Sequence, residues 1–189
     1  MSDFSCDVKE NIKRLETSLN VERNFDILQR EVVIAGRRAG FFFIDGFVQE
    51  DTVEKLIQFF YSLKESDMQS LDTFLEKGMP YTEVSRSSNI DNVITQFLSG
   101  VSIMTIDGFD ECLLMDCRTY PMRSVSEPWK DRVLRGSRDG FVETLVSNAA
   151  LLRRRIRDPR FSMELYGVGN LGSRILLLNN AALLRRRIR

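Results

Sequence analysis

The chain has 189 residues, of which 43% are hydrophobic and 29% are charged, a composition that favours a folded domain and excludes a disordered chain. It contains no histidine, the most common general base and metal ligand, and its three cysteines have no CxxC spacing. We therefore expect reduced cytosolic thiols, without a disulfide framework or a zinc site.

The net charge is zero, but it is unevenly distributed along the chain. Residues 1–117 carry 11 basic and 21 acidic side chains, a net charge of −10, whereas residues 118–189 carry 16 and 6, a net charge of +10. Such asymmetry is typical of a surface for anionic lipid, nucleic acid or an acidic partner, or of two halves that complement each other within the fold or an oligomer.

Neither a membrane span nor an export signal is predicted within the chain. No apolar run reaches the roughly 18–20 residues that a membrane-spanning helix needs. The N-terminus MSDFSCDVKE carries acids where a signal peptide would be cationic and then apolar. We expect a soluble chain that is not exported.

Helices and strands alternate in the first 118 residues. Apolar residues at helical spacing and cap residues predict helices at 7–20, 68–77 and 89–98, and a further helix that begins with Asp51 as an acidic cap. Turn residues between apolar runs predict two hairpins, one of residues 25–34 and 39–45 closed by 36–38, the other of 101–106 and 111–118. The second arm of the first hairpin is apolar on both faces, which indicates a strand buried between layers.

This alternation predicts an α/β (α+β) fold of two small subdomains, each a mixed sheet packed with helices. We place the N-terminal α/β subdomain at 1–120, a linker with Pro121, Pro128 and Trp129 at 121–134, and the start of a second, truncated α/β subdomain at 135–178. Residues 179–189 form an anomalous tail, because NAALLRRRIR occurs identically at 148–157 and at 180–189. No functional claim rests on this tail.

Two patterns invite an enzymatic interpretation. Residues 167–172 match GxGxxG, the dinucleotide-binding fingerprint, which requires a strand before it, a helix after it and an acid about 20 residues further on. No acid follows Glu164, and the next residues are β-like, so a glycine-rich hairpin turn is favoured. The Asp-Gly turns at Asp45 and Asp107 have no identifiable partner base. We therefore assign no catalytic, cofactor-binding or metal-binding residue, and expect no enzyme.

Residues 135–159 predict a capped amphipathic helix. Ser137 or Asp139 is placed to cap its first turn, and the sequence Asp158-Pro159 ends it. Its apolar face consists of Phe141, Leu145, Ala149, Leu152 and Ile156. The candidate interaction surface, for phosphates, anionic headgroups or a partner, consists of Arg153, Arg154, Arg155 and Arg157.

The alternative for these arginines is a docked helix with cations at its favourable end. Nucleic-acid binders usually interleave aromatic and basic residues, and this cluster contains no aromatic residue. We therefore do not expect nucleic acid as a partner.

The same segment carries a resemblance to a known family. The Asp-Gly-Phe turn after the apolar strand and the arginine-rich helix with its flanks resemble the spore germination protein A (GerA) family. The residues that carry the resemblance, candidates for a structural motif, are Asp45, Gly46, Gly136, Arg138, Asp139, Gly140, Glu143, Asp158 and Pro159.

The resemblance implies an N-terminal cytosolic region of two α/β subdomains, followed in the parent protein by transmembrane helices in the inner membrane of spores. It implies assembly with other germination-complex subunits, self-association, and a part in assembly or signalling of a nutrient-germination, ion-conducting complex. No catalytic residue and no cofactor carry over from the family. A nucleotide-binding or enzymatic module using residues 167–172, and binding of anionic lipid or nucleic acid by the basic C-terminal third, remain the alternatives.

Overall fold

Two hairpins form the middle of the main sheet, as predicted. The computed structural model describes residues 3–76, 83–119, 144–168 and 173–179. Strand β1 (Ile27–Ile34) pairs with β2 (Arg37–Ile44) through a two-residue turn, in which Ala35 and Gly36 have φ of 47° and 82°. Positive φ at both positions is what the tightest hairpin turn requires.

The main sheet has five strands in the order β1-β2-β4-β5-β3, where β3 is Glu83–Ser87, β4 is Ser102–Ile106 and β5 is Cys112–Asp116. The α+β class is thereby confirmed. The expected mixture of strand directions is corrected, because each pair in the described part of the sheet is antiparallel. Strand β3 was not predicted, since its sequence EVSRS holds a single apolar residue.

Helices cover both faces of this sheet. Helices α1 (Val8–Leu19) and α4 (Ile90–Leu98) lie on one face, and α2 (Glu50–Ser62) and α3 (Leu71–Glu76) lie on the other. Strand β2 serves both cores, as its two-sided apolar pattern predicted. One face of β2 contributes Phe42 and Ile44 to the α1/α4 side, and the other contributes Phe41 and Phe43 to the α2/α3 side.

The caps of α1 explain where it begins and ends. The Asp7 carboxylate accepts from the Lys9 N–H at 2.9 Å, and the Asp107 carboxylate accepts from the Val8 N–H at 3.3 Å. Asn20 ends the helix in the left-handed conformation, with φ of 53°. Asp107, one of the two Asp-Gly acids, therefore satisfies a helix terminus that would otherwise have a free donor.

Two helix predictions are corrected. Helix α2 begins at Glu50 with Gln49 at its N-cap. Asp51 therefore lies in the first turn, where the helix dipole stabilises a negative charge. The helix predicted at 68–77 is divided into a 3₁₀ turn, Glu65–Met68, and α3. The Ser70 hydroxyl accepts from the Thr73 N–H at 3.1 Å and so starts a new helix instead of continuing the old one.

The later part of the chain forms α5 (Leu145–Arg155) and a hairpin of β6 (Ser162–Val168) and β7 (Ser173–Asn179). A separate small core joins α5 to β6, with Ala149, Leu152, Ile156, Phe161 and Met163. The proposed linker at 121–134 and the repeated decapeptide at 180–189 lie outside the described residues, so the subdomain boundaries remain a prediction.

Candidate functional site

Helix α5 presents an arginine to the protein interior. The helix begins at Leu145 with Thr144 at its N-cap, which corrects the prediction that Ser137 or Asp139 caps it. Its buried side comprises Ala149, Ala150, Leu152 and Arg153. The small side chains of the alanines allow the backbone of α5 to approach the main sheet closely. This approach brings the long side chain of Arg153 within reach of the residues that precede β1.

Arg153 is fully buried and forms an ion pair with Asp26, which is also fully buried. Its Nε donates to Asp26 Oδ2 at 2.8 Å, and its Nη2 donates to Asp26 Oδ1 at 2.8 Å, a bidentate geometry. Nη2 also donates to Asn24 Oδ1 at 2.8 Å, and Nη1 donates to the carbonyl oxygen of Phe161 at 3.0 Å. The guanidinium carbon lies 5.1 Å from the centre of the Phe161 ring. We call Asn24, Asp26, Arg153 and Phe161 the arginine clamp.

Asn24 holds the other side of the clamp in place. Its amide nitrogen donates to the carbonyl oxygens of Leu19 and Asn20, each at 3.0 Å, and its amide oxygen accepts from the Met163 N–H at 3.0 Å. The end of α1, the start of β1, α5 and β6 thus meet at one buried polar cluster. Both buried charges are paired and hydrogen-bonded, the condition under which a protein interior tolerates them.

The Asp45-Gly46-Phe47 turn lies beside the clamp. The Asp45 N–H donates to the Asp26 carbonyl oxygen at 2.8 Å. Gly46 has a φ of 80°, and a side chain there would begin 3.1 Å from Ala150 Cβ, so the turn needs glycine for conformation and for the approach of α5. The Phe47 carbonyl oxygen accepts from the Thr119 N–H. The segment that follows β5 is therefore attached to the same turn.

The carboxyl group of Asp45 is electrostatically disfavoured as an anion. Burial raises its pKa above the ordinary 3.8, the hydrogen bond from the Gly46 N–H lowers it in part, and the charges of Asp26 and Glu50 raise it further. Asp45 and Gly46, predicted as structural-motif residues, therefore lie next to the clamp, and the structure assigns them packing and electrostatic contacts.

The predicted surface of four arginines is corrected at one position. Arg153 faces the interior, because it lies on the same helical stripe as Ala149 and Ile156, and it cannot contact an external partner. Arg154 and Arg157 are exposed and Arg155 is half-buried. The use of these three as an interaction surface stays a prediction.

Asp158 and Pro159 follow the end of α5, as predicted. The Asp158 carboxylate accepts from Arg160 Nη2 at 2.8 Å and from the Arg160 N–H at 3.0 Å, which orders the turn into β6. Arg157 and Pro159 line an open cleft of about 470 Å³, whose other lining residues include Asp91 and Arg118. The remaining motif residues, Gly136, Arg138, Asp139, Gly140 and Glu143, lie outside the described residues.

The GxGxxG segment joins two strands. Val168 pairs with Ser173 at the end of the antiparallel β6–β7 ladder, and the four residues between them lie outside the described ranges. The residue after the motif starts a strand, whereas a dinucleotide site needs a helix N-terminus there to bind the pyrophosphate. The two flanking strands are those that the hairpin interpretation requires, while the turn itself lies outside the described residues.

Other reactive groups lie in structural roles. The three cysteines are free thiols, with Cys6 exposed and Cys112 and Cys117 buried. Burial raises the pKa of the Cys112 thiol and of the Cys117 thiol, which keeps them protonated. Within the described ranges, no group of three metal-ligating side chains is placed to hold an ion, and no helix is long and apolar enough to cross a bilayer.

Sequence reasoning missed three of the four clamp residues. Asp26 is a lone acid between Phe25 and Ile27, which could have indicated a buried carboxylate in need of a cation. Arg153 lies four residues after Ala149 and three before Ile156, so helical spacing alone places it on the buried face. Asn24 and Phe161 carry no comparable signal, because a turn asparagine and a strand phenylalanine are common.

The architecture is that of the N-terminal domain of the A subunit of the Bacillus megaterium spore germinant receptor GerK3, whose crystal structure superimposes with a TM-score of 0.71. That alignment covers 100% of this chain and 72% of the other, at 19% sequence identity, a likeness that establishes the fold.

The chain belongs to the family of Bacillus/Clostridium GerA spore germination proteins, whose family profile matches residues 13–178. It is 28% identical over 162 residues to the stage V sporulation protein AF of Bacillus subtilis (strain 168), covering 85% of this chain and 33% of that protein. It is 26% identical over 169 residues to the uncharacterized membrane protein YfkQ of the same organism, covering 88% of this chain and 32% of that protein. The chain thus spans about a third of the length of these relatives.

Proposed function

We propose that this chain is the cytosolic N-terminal region of a spore inner-membrane germination protein, and that it acts as a non-catalytic assembly and signalling domain of a nutrient-germination complex. The family match over residues 13–178 is the observation that carries the proposal. The likeness in fold to the N-terminal domain of a germinant receptor A subunit supports it. The parent complex would conduct ions, with its transmembrane part outside the region described here.

The geometry suits a domain that transmits contacts and performs no chemistry. The arginine clamp fixes α5 and β6 against the first sheet with directional bonds, which set one orientation between the two parts. Most nucleophilic or acidic groups that the structure describes in the interior are engaged in packing, helix capping or pairing. The functional surfaces would then be external, facing other subunits or a second copy of the same protein.

The exposed arginines at the end of α5 are our candidate contact surface for partner subunits. Arg154 lies in the last turn of α5, and Arg157 directly follows the C-cap residue Ile156. Arg153 holds this end of the helix through its bonds to Asp26, and so it positions both exposed arginines relative to the domain. Exposed charges of this kind mainly steer association and set its specificity. The same surface could instead contact anionic headgroups, at about 1 kcal/mol for each basic residue near the membrane.

Deletion of the domain tests the main proposal. Spores would produce the full-length parent protein with or without the region equivalent to residues 13–178. We expect the shortened parent to remain in the inner-membrane fraction, to lose co-purification with other germination subunits, and to lose the response to nutrients. Normal co-purification together with a normal germination response would contradict an assembly role.

Charge substitutions test the contact surface separately. The parent protein would carry Arg154→Gln, Arg155→Gln and Arg157→Gln together. The control would carry Lys9→Gln, Lys13→Gln and Arg14→Gln on the exposed face of α1, which removes the same number of positive charges. We expect the first set to weaken co-purification with partner subunits and the second to leave it unchanged. Binding of the isolated chain to anionic but not neutral vesicles, lost in the first set alone, would assign the surface to lipid instead.

A further inference from the structure

The part of the chain formed by α5 and β6, residues 144–168, has its own apolar core. Ala149, Leu152, Ile156, Phe161 and Met163 form one cluster of buried apolar residues, and the partly buried Phe25 packs against it. Ala150 belongs to the core on the α1/α4 side of the main sheet, and both Ala150 and Val146 lie close to Gly46. We call residues 144–168 the α5–β6 unit, and β7, which pairs with β6 along its whole length, moves with it. The apolar core of this unit is much smaller than either core of the main sheet.

Several polar contacts attach this unit to the rest of the domain. Arg153 bonds to Asp26 and Asn24, and the Met163 N–H donates to Asn24 Oδ1. The Phe25 N–H donates to the Met163 carbonyl oxygen at 3.0 Å, and Arg23 Nε donates to the Glu164 carboxylate at 3.2 Å on the surface. Water can replace each of these bonds once the surfaces part, and both charges of the ion pair then become hydrated. Separation therefore sacrifices little that solvent cannot restore, whereas unfolding of the main sheet exposes its two large apolar cores.

We infer that the α5–β6 unit detaches from the main sheet as one body while the sheet stays folded, and that Arg153 is the latch of this motion. Arg153 is attached to both elements of the unit, through its own helix and through the Phe161 carbonyl oxygen and ring. The unit therefore retains its internal contacts when the bonds to Asp26 and Asn24 break. At the point where α5 comes closest to the Asp45-Gly46-Phe47 turn, Gly46 offers no side chain to interlock with Ala150 and Val146. This inference does not depend on the proposed function.

Native-state hydrogen exchange of the unmodified chain tests the motion directly. Backbone amides would be followed by mass spectrometry in increasing low concentrations of guanidinium chloride. We expect amides of α5 and β6 to share one opening reaction, and to exchange at least about tenfold faster than the amides of β2 and β4. Exchange of α5 at the same rate as β2 and β4 would mean that it opens only by global unfolding and would overturn the inference. So would α5 and β6 opening in separate reactions.

A pair of neighbouring substitutions tests the latch. Arg153→Met removes the cation from the clamp, and Arg154→Met makes the same chemical change one residue later on the exposed side of the helix. We expect Arg153→Met to accelerate exchange in both α5 and β6 by a further tenfold or about that, with β2 and β4 unchanged within about twofold, and Arg154→Met to change neither. Equal acceleration in the main sheet, or no acceleration in α5, would show that Arg153 is no latch. The unmodified chain provides a decisive measurement even if Arg153→Met does not fold.

Discussion

Replacing Arg153 with methionine removes the guanidinium group of the arginine clamp while keeping an apolar chain as long as the aliphatic part of arginine. The substitution abolishes four hydrogen bonds, two to Asp26, one to Asn24 and one to the Phe161 carbonyl oxygen. It also leaves the Asp26 carboxylate fully buried without a cation. Uncompensated buried charge is one of the few mechanisms by which a single substitution destabilises a protein severely.

The expected loss follows from this geometry. Breaking a fully buried ion pair on one side costs about 3–5 kcal/mol, which is a large share of the roughly 5–15 kcal/mol by which a typical domain is stable. The loss in the free energy of unfolding cannot exceed the free energy with which the α5–β6 unit docks on the main sheet. If the cost of the substitution is larger than this docking free energy, the unit detaches and the main sheet stays folded. In that case less surface is buried in the native state, and the denaturant dependence of unfolding becomes shallower.

Guanidinium denaturation followed by far-UV circular dichroism measures both quantities. We expect a lower midpoint for Arg153→Met, either with a loss of about 3–5 kcal/mol or with a reduced slope, and a change within about 0.5 kcal/mol for Arg154→Met. Asp26→Asn combined with Arg153→Met should cost less than the sum of the two single substitutions, because the pair is lost only once. A loss below about 1 kcal/mol with an unchanged slope would refute the assignment of Arg153 and Asp26 as a coupled buried pair.

Three further predictions concern buried and reactive groups. The hydroxyl of Thr105, fully buried in β4, has no hydrogen-bond partner among the residues that the structure describes. Thr105→Val should therefore raise the unfolding free energy by about 1 kcal/mol in thermal melts, and a lower melting temperature would contradict this. The pKa of Asp45 is raised in the native state, so the folded protein still holds a proton on this carboxyl group at pH values above 3.8, where the unfolded chain has released it. The protonated Asp45 therefore stabilises the fold at low pH, and this stabilisation is lost as the pH rises through the raised pKa. The free energy of unfolding of Asp45→Asn should therefore rise relative to that of the unmodified chain between pH 3.8 and neutral pH. A constant difference between the two unfolding free energies across that range would show that Asp45 does not titrate as inferred. A thiol reagent should label Cys6 alone in the native protein and also Cys112 and Cys117 after denaturation, since the last two are buried; rapid native labelling of more than one thiol would disprove their burial.

The main sheet was largely predictable because its signals are local. Turn glycines, two-sided apolar strands and helix caps each act within a few residues, so both central hairpins and α1 and α4 were predicted within a few residues of their observed ends. Strand β3 escaped prediction because its pairing with β5, and not its own composition, makes it a strand. The direction of the strands also depends on tertiary pairing, which a pattern of alternating elements does not specify.

The candidate site was less predictable because its residues are distant in sequence. The arginine run was recognised as significant, but charge alone suggested that all four side chains face outward. Helical spacing places Arg153 on the buried face of α5. A charged side chain is stable there only because the carboxylate of Asp26, 127 residues earlier in the chain, pairs with it. No pattern within a single segment shows that Asp26 and Arg153 meet, because only the completed sheet brings the end of α1 and the start of β1 under α5.

The same separation has a consequence for the order of events during synthesis. Asp26 leaves the ribosome 127 residues before Arg153, an interval of about 6–25 s at 5–20 residues per second. The main sheet is complete once β5 ends at Asp116, 37 residues before Arg153, which leaves about 2–7 s at the same rate. A sheet of this size can fold within that time, while Asp26 has no cation and stays hydrated. Docking of α5 then follows the folding of the sheet, and until it occurs the nascent domain presents an acidic, partly apolar groove that a chaperone or a neighbouring chain could occupy.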